Sequence, residues 1–231
     1  MRLAIIPARG GSKRIPGKNI RPFCEQPIIA YSIQTAIAST LFDRILVSTD
    51  SDEIATIARE YGAEVPFLRS SQTADDYSTL IDVLQEVVSQ LASLGETYQE
   101  ICCLLPTAPL VTAERLHDAY RLFTERGYDS VFPIVRFGYP IQRALSLTDA
   151  GDLMMQHPEY YTSRSQDLPA SYHDAGQFYW FRPAPCFAAG RLFTDHCGGI
   201  EVSELEVQDI DTQTDWQLCE LKFKLQRQIP C

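Results

Sequence analysis

The chain has 231 residues, enough for one large α/β domain to bury a substantial core. Thirty acidic against twenty basic side chains give a formal charge of -10, an excess of acid that argues against a broad nucleic-acid-binding face. No apolar run approaches the length of a membrane span, and the seven cysteines, scattered without Cys-x-x-Cys spacing, support neither a disulfide framework nor a zinc site.

Leu3 to Pro7 is a short apolar run closed by Ala8-Arg9-Gly10-Gly11, which reads as a buried strand spilling into a loop. Six basic residues and no acidic one lie between Met1 and Arg21, a local reversal in an acidic chain. Cations crowded on one loop repel each other unless an anion or carboxylates compensate them. Arg9, Ser12, Lys13, Arg14 and Lys18 supply donors and charge, and Gly10 and Gly11 are expected to take up positive φ and let the backbone approach a ligand. The spacing is neither that of a Walker A loop nor a Gly-x-Gly-x-x-Gly fingerprint. A polyphosphate held by long cationic side chains as well as backbone is the reading it favours over a plain solvated loop.

Ile29, Ile33, Ala36 and Ile37 recur at helical spacing, and Arg44 to Ser48 reads as a second strand ending in Ser48-Thr49-Asp50. Asp52 is placed to cap a helix striped by Ile54, Ile57, Ala58 and Tyr61, with Gly62 at its end. Ala63 to Leu68 reads as a third strand with Arg69 just beyond it, and residues 70–79 as a loop. Leu80, Val83, Leu84, Val87, Val88 and Leu91 form a clear amphipathic helix. Glu100 to Leu105 reads as a central strand with Cys102 and Cys103 as small buried hydrophobes. Leu116, Ala119, Tyr120 and Phe123 mark the next helix, and Ser130 to Val135 another strand.

This alternation implies a mostly parallel sheet flanked by helices on both faces, with ligands at the carboxyl ends of the strands, where Arg9, Asp50, Arg69 and Thr107 collect. One domain spanning 1–231 is expected. Within it, residues 137–175 break the alternation and read as an arm or insertion that covers a site, exchanges with a second subunit, or forms a surface excursion. Gly176 to Phe181 returns to strand, and Asp215 opens a last helix with Leu218, Leu221, Lys222 and Leu225.

Asp209 and Asp211 lie two apart, so on an extended segment they share one side while Ile210 turns into the core. Two carboxylates so placed suit Mg²⁺, which takes oxygen ligands and completes its shell with water and phosphate oxygens. Surface pairs and helix caps give the same spacing, and Asp211 or Asp215 also qualifies as the cap of the final helix.

The run Ile6-Pro7-Ala8-Arg9-Gly10-Gly11-Ser12-Lys13-Arg14-Ile15-Pro16-Gly17-Lys18-Asn19 resembles the signature of the sugar-acid cytidylyltransferases, which couple CTP to eight- or nine-carbon 2-keto sugar acids. The resemblance extends over nearly all of the chain and implies a fold of the nucleotide-diphospho-sugar transferase kind. It implies Arg9, Gly10, Gly11, Ser12, Lys13 and Asn19 in the nucleotide loop, with Arg9 and Lys13 on the triphosphate. Asn19 is implied near the cytosine, Arg69 at the cytosine carbonyl, and Asp209 and Asp211 as metal ligands. Arg164 is implied at the sugar-acid end, contributed in the family by a partner subunit. The likeness is greatest to the pseudaminic acid branch, on Tyr139 to Leu145 and on Tyr172 to Trp180. Leu105 stands where neuraminate-type members carry glutamine, a departure from that branch.

The chemistry implied is attack of an anomeric hydroxyl on the α-phosphorus of CTP, with Lys13, Arg9 and Asp211 in catalytic roles. Gln142, Arg143, Arg164, His173, Asp174 and Gln177 are the candidates for the sugar acid; the two arginines suit its carboxylate. The expected product is CMP-pseudaminic acid, made in the cytoplasm by a Mg²⁺-dependent homodimer acting on CTP and a nonulosonic acid, without nucleic-acid or membrane partners. Neuraminate, legionaminate and the eight-carbon ulosonate are the neighbouring substrates. A metal-dependent glycosyltransferase and a non-catalytic nucleotide-binding protein are the competing classes.

Overall fold

The computed structural model describes residues 1–12, 14–74 and 78–228. Apart from residues 63–68, the first half follows the expected alternation. Strand β1 (Arg2–Pro7) precedes a two-stranded antiparallel pair, β2 (Pro22–Phe23) and β3 (Gln26–Pro27), followed by α1 (Ile28–Ser39) and β4 (Arg44–Ser48). Then come α2 (Asp52–Glu60), α3 (Leu80–Ser93), β5 (Glu100–Leu104), α4 (Ala113–Arg126) and β6 (Ser130–Arg136). The second half adds the hairpin β7 (Leu145–Leu147) and β8 (Leu153–Met155), then β9 (Tyr172–Asp174), β10 (Phe178–Phe181), α5 (Pro183–Ala189), β11 (Cys197–Glu201) and α6 (Gln213–Gln228).

The main sheet runs β11-β6-β10-β5-β1-β4. β1 lies parallel to both β4 and β5, and β11 parallel to β6, while β10 is inserted antiparallel between β5 and β6. β9 pairs the second half of β6, whose first half pairs β10. The two therefore follow one another along the same side of β6, separated by Gly176 at φ +62. Alternation along β1 splits the core: Ala4 and Ile6 face α1, α2 and α4, whereas Leu3 and Ile5 face α3 and α5. Helices thus cover both faces, as a largely parallel sheet requires.

A third apolar cluster lies apart from these two and joins the ends of the chain. Ile15, Phe23, Ile28 and Tyr31 from the N-terminal region pack with Ile210, Trp216, Cys219 and Phe223, and Leu110 completes it. Phe23 meets Trp216 and Phe223 edge-on, at ring separations of 5.5 and 5.4 Å, and the Arg21 guanidinium lies 4.6 Å from the Trp216 ring. Edge-to-face pairs of this kind add to the burial itself.

Several expectations need correcting. Residues 63–68 make only a single bridge, Leu46 to Glu64, because Pro66 has no N–H to continue a ladder and the chain turns away to bring Arg69 against Thr49. Ser51 caps α2, accepting from the Ile54 N–H; Asp52 is already in the first turn. In α6 the inward face is Trp216, Cys219 and Phe223, while Leu218, Leu221 and Leu225 are 43%, 63% and 44% exposed. The aromatic residues and cysteine win because they fill the third cluster against Phe23 and Tyr31. The helix begins two residues before Asp215, which completes its cap with Thr212.

No described helix is long and apolar enough to cross a membrane, and every described cysteine is a free thiol. Truncating Trp216 to alanine should lower unfolding free energy by about 3–5 kcal/mol, the range for a buried aromatic. Leu221→Ala should stay within about 0.5 kcal/mol. Denaturant midpoints of the two variants check the assignment of the helix face.

Candidate functional site: a basic cleft beside an acidic segment

The three parallel strands β1, β4 and β5 end side by side, and a cleft of about 480 Å³ opens over the loops that follow them. Arg9, Ser12, Arg14, Lys18, Asn19 and Arg69 supply its polar lining; Leu80, Val83, Leu105 and Pro106 form an apolar wall, with Thr107 beside them. This is the carboxyl edge at which an open α/β sheet takes its ligands.

Local bonding explains how the loop is held. Beyond β1 the Ala8 N–H bonds the Ser48 carbonyl at 2.8 Å, and the Gly10 N–H donates to Asp50 Oδ1 at 2.8 Å. Neither Gly10 nor Gly11 is left-handed, contrary to expectation. At Gly10 the lack of a side chain matters because an added Cβ would stand 3.2 Å from that of Ser51. The positive φ belongs to Gly17, at +61°, whose carbonyl accepts the N–H groups of Ile20 and Arg21. Asn19, 8% exposed, donates from Nδ2 to the Arg9 carbonyl at 2.9 Å, tying both ends of the loop together. Lys13 lies outside the described residues.

Arg69 is fixed at the opposite wall. Its N–H bonds the Thr49 carbonyl at 2.8 Å, Nη2 donates to the Ser48 carbonyl at 2.7 Å and Nε to Ser48 Oγ at 3.2 Å. Among the described residues Nη1 has no bonding partner. Burial pulls the Arg69 pKa below the usual arginine value, with Asp50 and Glu86 opposing it.

Asp211 meets the basic loop directly. Arg14 Nη1 lies 2.5 Å from Asp211 Oδ2 and Lys18 Nζ 3.8 Å from Oδ1; Lys18 also bonds the Ile210 carbonyl. Burial lowers the Lys18 pKa, and the Asp211 and Asp209 charges act against that. Asp215 is the residue spent on the cap: its Oδ2 accepts from the N–H groups of Asp211 and Thr212 and from the Thr212 hydroxyl. The Asp211 carboxylate is thereby left for the cleft.

A second cavity, about 290 Å³, lies along the same acidic segment and is lined by His173, Asp174, Glu204, Asp209 and Lys222 among others. Asp174 Oδ1 accepts from the Gly176 N–H at 2.9 Å, and Oδ2 from the Tyr179 hydroxyl at 2.5 Å. Burial, then the neighbouring Asp174, drives the Tyr179 pKa far up, so this hydroxyl stays a donor. His173 Nδ1 bonds the Asp174 carbonyl at 2.9 Å. Asp209 lines this cavity and Asp211 pairs with Arg14 and Lys18 of the cleft, so one short segment borders both spaces.

With Ile210 1% exposed between them, neither carboxylate is buried. Among the described residues no three His, Cys, Asp or Glu side chains converge to hold a metal unaided. The protein thus offers two carboxylates, a donor set that fits Mg²⁺ when phosphate oxygens and water complete the shell.

The remaining candidates lie elsewhere. Gln177 is 6% exposed; Nε2 donates to the Glu206 carbonyl at 2.6 Å, and its own carbonyl accepts from Leu105 N–H at 2.8 Å. Its bonding ties the acidic segment to the cleft wall. In the arm, Gln142 Nε2 donates to the Pro169 carbonyl at 3.3 Å while its buried Oε1 has no bonding partner among the described residues. Arg143 donates to Ser165 Oγ at 3.1 Å and lines a cavity of about 530 Å³ with Tyr139 and Ile141. Arg164, largely exposed, pairs with Asp167 at 2.7 Å. None of these three arm residues lines the basic cleft.

Leu80 and Val83 are cleft residues that periodicity conceals, since both sit on a helix stripe that reads as core. The pairing of Arg14 and Lys18 with Asp211 carries no local signal, being nearly the whole chain apart in sequence; the only hint is the opposite charge of the two segments.

The chain belongs to the cytidylyltransferase family, whose model matches residues 3–184. A pseudaminic acid cytidylyltransferase of Campylobacter jejuni is 40% identical to it over 223 residues, 96% of each chain. A CMP-N,N'-diacetyllegionaminic acid synthase of Legionella pneumophila is 30% identical, over 98% of this chain and 97% of its own. Among solved structures, a CMP:2-keto-3-deoxy-manno-octonic acid synthetase complexed with CTP superposes with a TM-score of 0.69 at 16% identity over 99% of both chains, a likeness of fold.

Because Asp211 occupies Arg14 and Lys18, removing its charge should free both for an anion. Asp211→Asn is expected to bind inorganic triphosphate in EDTA about fivefold more tightly than the parent, the worth of one exposed ion pair of ~1 kcal/mol. Calorimetric titration checks the sign.

Proposed function

We propose that the chain transfers CMP from CTP to the anomeric hydroxyl of pseudaminic acid, releasing pyrophosphate. The observation that carries this reading is the basic cleft over β1, β4 and β5 with Asp211 at its rim. The 40% identity to a pseudaminic acid cytidylyltransferase along nearly the full length supports the choice of sugar acid. Leu105 in the cleft wall, in the place of the neuraminate-type glutamine, agrees with it.

In this reading Arg9, Ser12, Lys13 and Lys18 receive the triphosphate, and Asn19 holds the loop that presents them. Arg69 offers Nη1 to the base. A guanidinium is a donor only, which suits the adjacent O2 and N3 acceptors of cytosine and opposes the N3–H of uracil. The sugar hydroxyl oxygen bonds to the α-phosphorus, the bond to the bridging oxygen of pyrophosphate breaks, and the proton passes to water held by Asp211. Positive groups at the cleft oppose the charge that grows on the leaving oxygens, where most of the acceleration in such transfers arises. Mg²⁺, held by Asp209 and Asp211, would supply further charge neutralisation on the phosphate oxygens when bound.

The sugar acid is assigned to the cavity of His173 and Asp174 beside Asp209. Its carboxylate goes to Arg143 or Arg164, reached in a homodimer through the arm of a second copy; Tyr139, Leu147 and Tyr161, 89%, 70% and 73% exposed on that arm, support such a pairing. A cytoplasmic setting matches the supply of CTP.

Pyrophosphate release from CTP and Mg²⁺ with pseudaminate, neuraminate, legionaminate and the eight-carbon ulosonate, each beside an EDTA blank, tests the whole. Release confined to pseudaminate and abolished by EDTA is expected. Release mainly with another acid would reject the sugar assignment, and none with any acid would reject the enzyme reading. Lys13→Ala and Asp211→Ala should each cut turnover by about 10²–10³, the range for losing one charge-stabilising group, without loss of fold by circular dichroism.

A further inference from the structure

Ser70 to Ala74 follow Arg69, and Ser78 and Thr79, which line the cleft, stand just before α3. α3 holds both of these short stretches. At the second, Thr79 and Asp82 form a capping box, the Thr79 N–H donating to Asp82 Oδ2 at 2.9 Å. At the first the group is Glu86, half-buried one turn further along α3. Its Oε1 accepts the Ser70 N–H at 2.9 Å and Gln90 Nε2 at 2.9 Å, and its Oε2 accepts the Thr73 hydroxyl.

Ser70 follows Arg69 directly, so Glu86 fixes the peptide on one side of that arginine while the Thr49 carbonyl fixes the other. Burial alone would raise the Glu86 pKa, yet the donors from Thr73 and Ser70 and the Arg69 charge bring it below the usual value. The carboxylate therefore stays ionised and also offsets part of the cost of burying the Arg69 guanidinium. It is not among the groups lining the cleft.

We propose that Glu86 is a positioning residue for base selection: by anchoring Ser70 and Thr73 it sets where Arg69 presents Nη1, and so governs the preference for cytosine over uracil without touching the nucleotide. This rests on Arg69 meeting the base. A guanidinium displaced by even a fraction of an ångström loses alignment with two adjacent acceptors, whereas phosphate contacts, made from the opposite loop, are unaffected. Loss of Glu86 should accordingly weaken recognition of cytosine more than binding of the triphosphate.

The test compares CTP and UTP affinities by calorimetry for the parent protein, Glu86→Ala, Glu86→Gln and Arg69→Lys. Glu86→Ala should weaken CTP binding by about tenfold with little change for UTP, while Glu86→Gln, which still bonds Ser70 and Thr73, should retain most of the preference. Should Glu86→Ala fold poorly by its denaturant midpoint, Thr73→Val, which removes one of the two loop anchors, is expected to narrow the preference in the same direction. Equal losses for both nucleotides, or no change, with Arg69→Lys still narrowing the preference would overturn the role of Glu86 alone. An unchanged preference in Arg69→Lys would overturn the base reading, and this inference with it.

Discussion

The arrangement depends first on an apolar contact rather than a charged one. Ile15 and Ile210, both almost fully buried, enter the same small cluster with Phe23 and Trp216. A basic loop carrying Arg14 and Lys18 and an acidic segment carrying Asp209 and Asp211 would otherwise lie at opposite ends of the chain. Exposed ion pairs contribute little by themselves, so Arg14–Asp211 is better understood as the consequence of that packing than as its cause. Burial of the aromatic residues supplies the free energy that holds opposite charges at the cleft.

A mixed strand direction at the centre of the sheet serves the same site. β10 enters antiparallel beside β5, which brings Gln177, just ahead of it, against Leu105 and the carbonyl of Glu206. Arg115 on α4 grips the Glu206 carboxylate at 2.8 Å, so the start of the acidic segment is held from two directions. The Ala175–Gln177 interruption between β9 and β10 also turns Asp174 back on its own Gly176 N–H and onto Tyr179. One break in a strand thus shapes the second cavity and steadies the wall of the first.

Much of this was legible in the chain because the signals were local. The strand that runs on into Arg9-Gly10-Gly11, the stripe of α3 and the apolar positions of α4 each declare themselves within a dozen residues. Asp-x-Asp around a buried Ile210 follows from the two-residue period of extended backbone. What escaped depends on partners distant in sequence. Whether α6 buries its leucines or its aromatic residues is decided by Phe23 and Tyr31, nearly two hundred positions earlier. Nothing near Glu206 announces the antiparallel insertion that supports it, and the short α5 and the glycine-bearing β11 lack a distinctive period. Leu80 and Val83 read as core because a cleft wall and a core face demand the same apolar residues.

The cluster around Ile15 and Ile210 also fixes an order of events during synthesis. Segments so far apart meet late, since loop closure over most of the chain must precede any gain from their contact. The parallel strands β1, β4 and β5 can assemble while the rest of the chain is still being made, but their basic loop then has no Asp211 beside it. Only when α6 has emerged and docked its aromatic face are the cations compensated and the cleft given its acidic rim. A nascent chain of this design carries the three parallel strands beneath its cleft long before the chemistry of that cleft is complete.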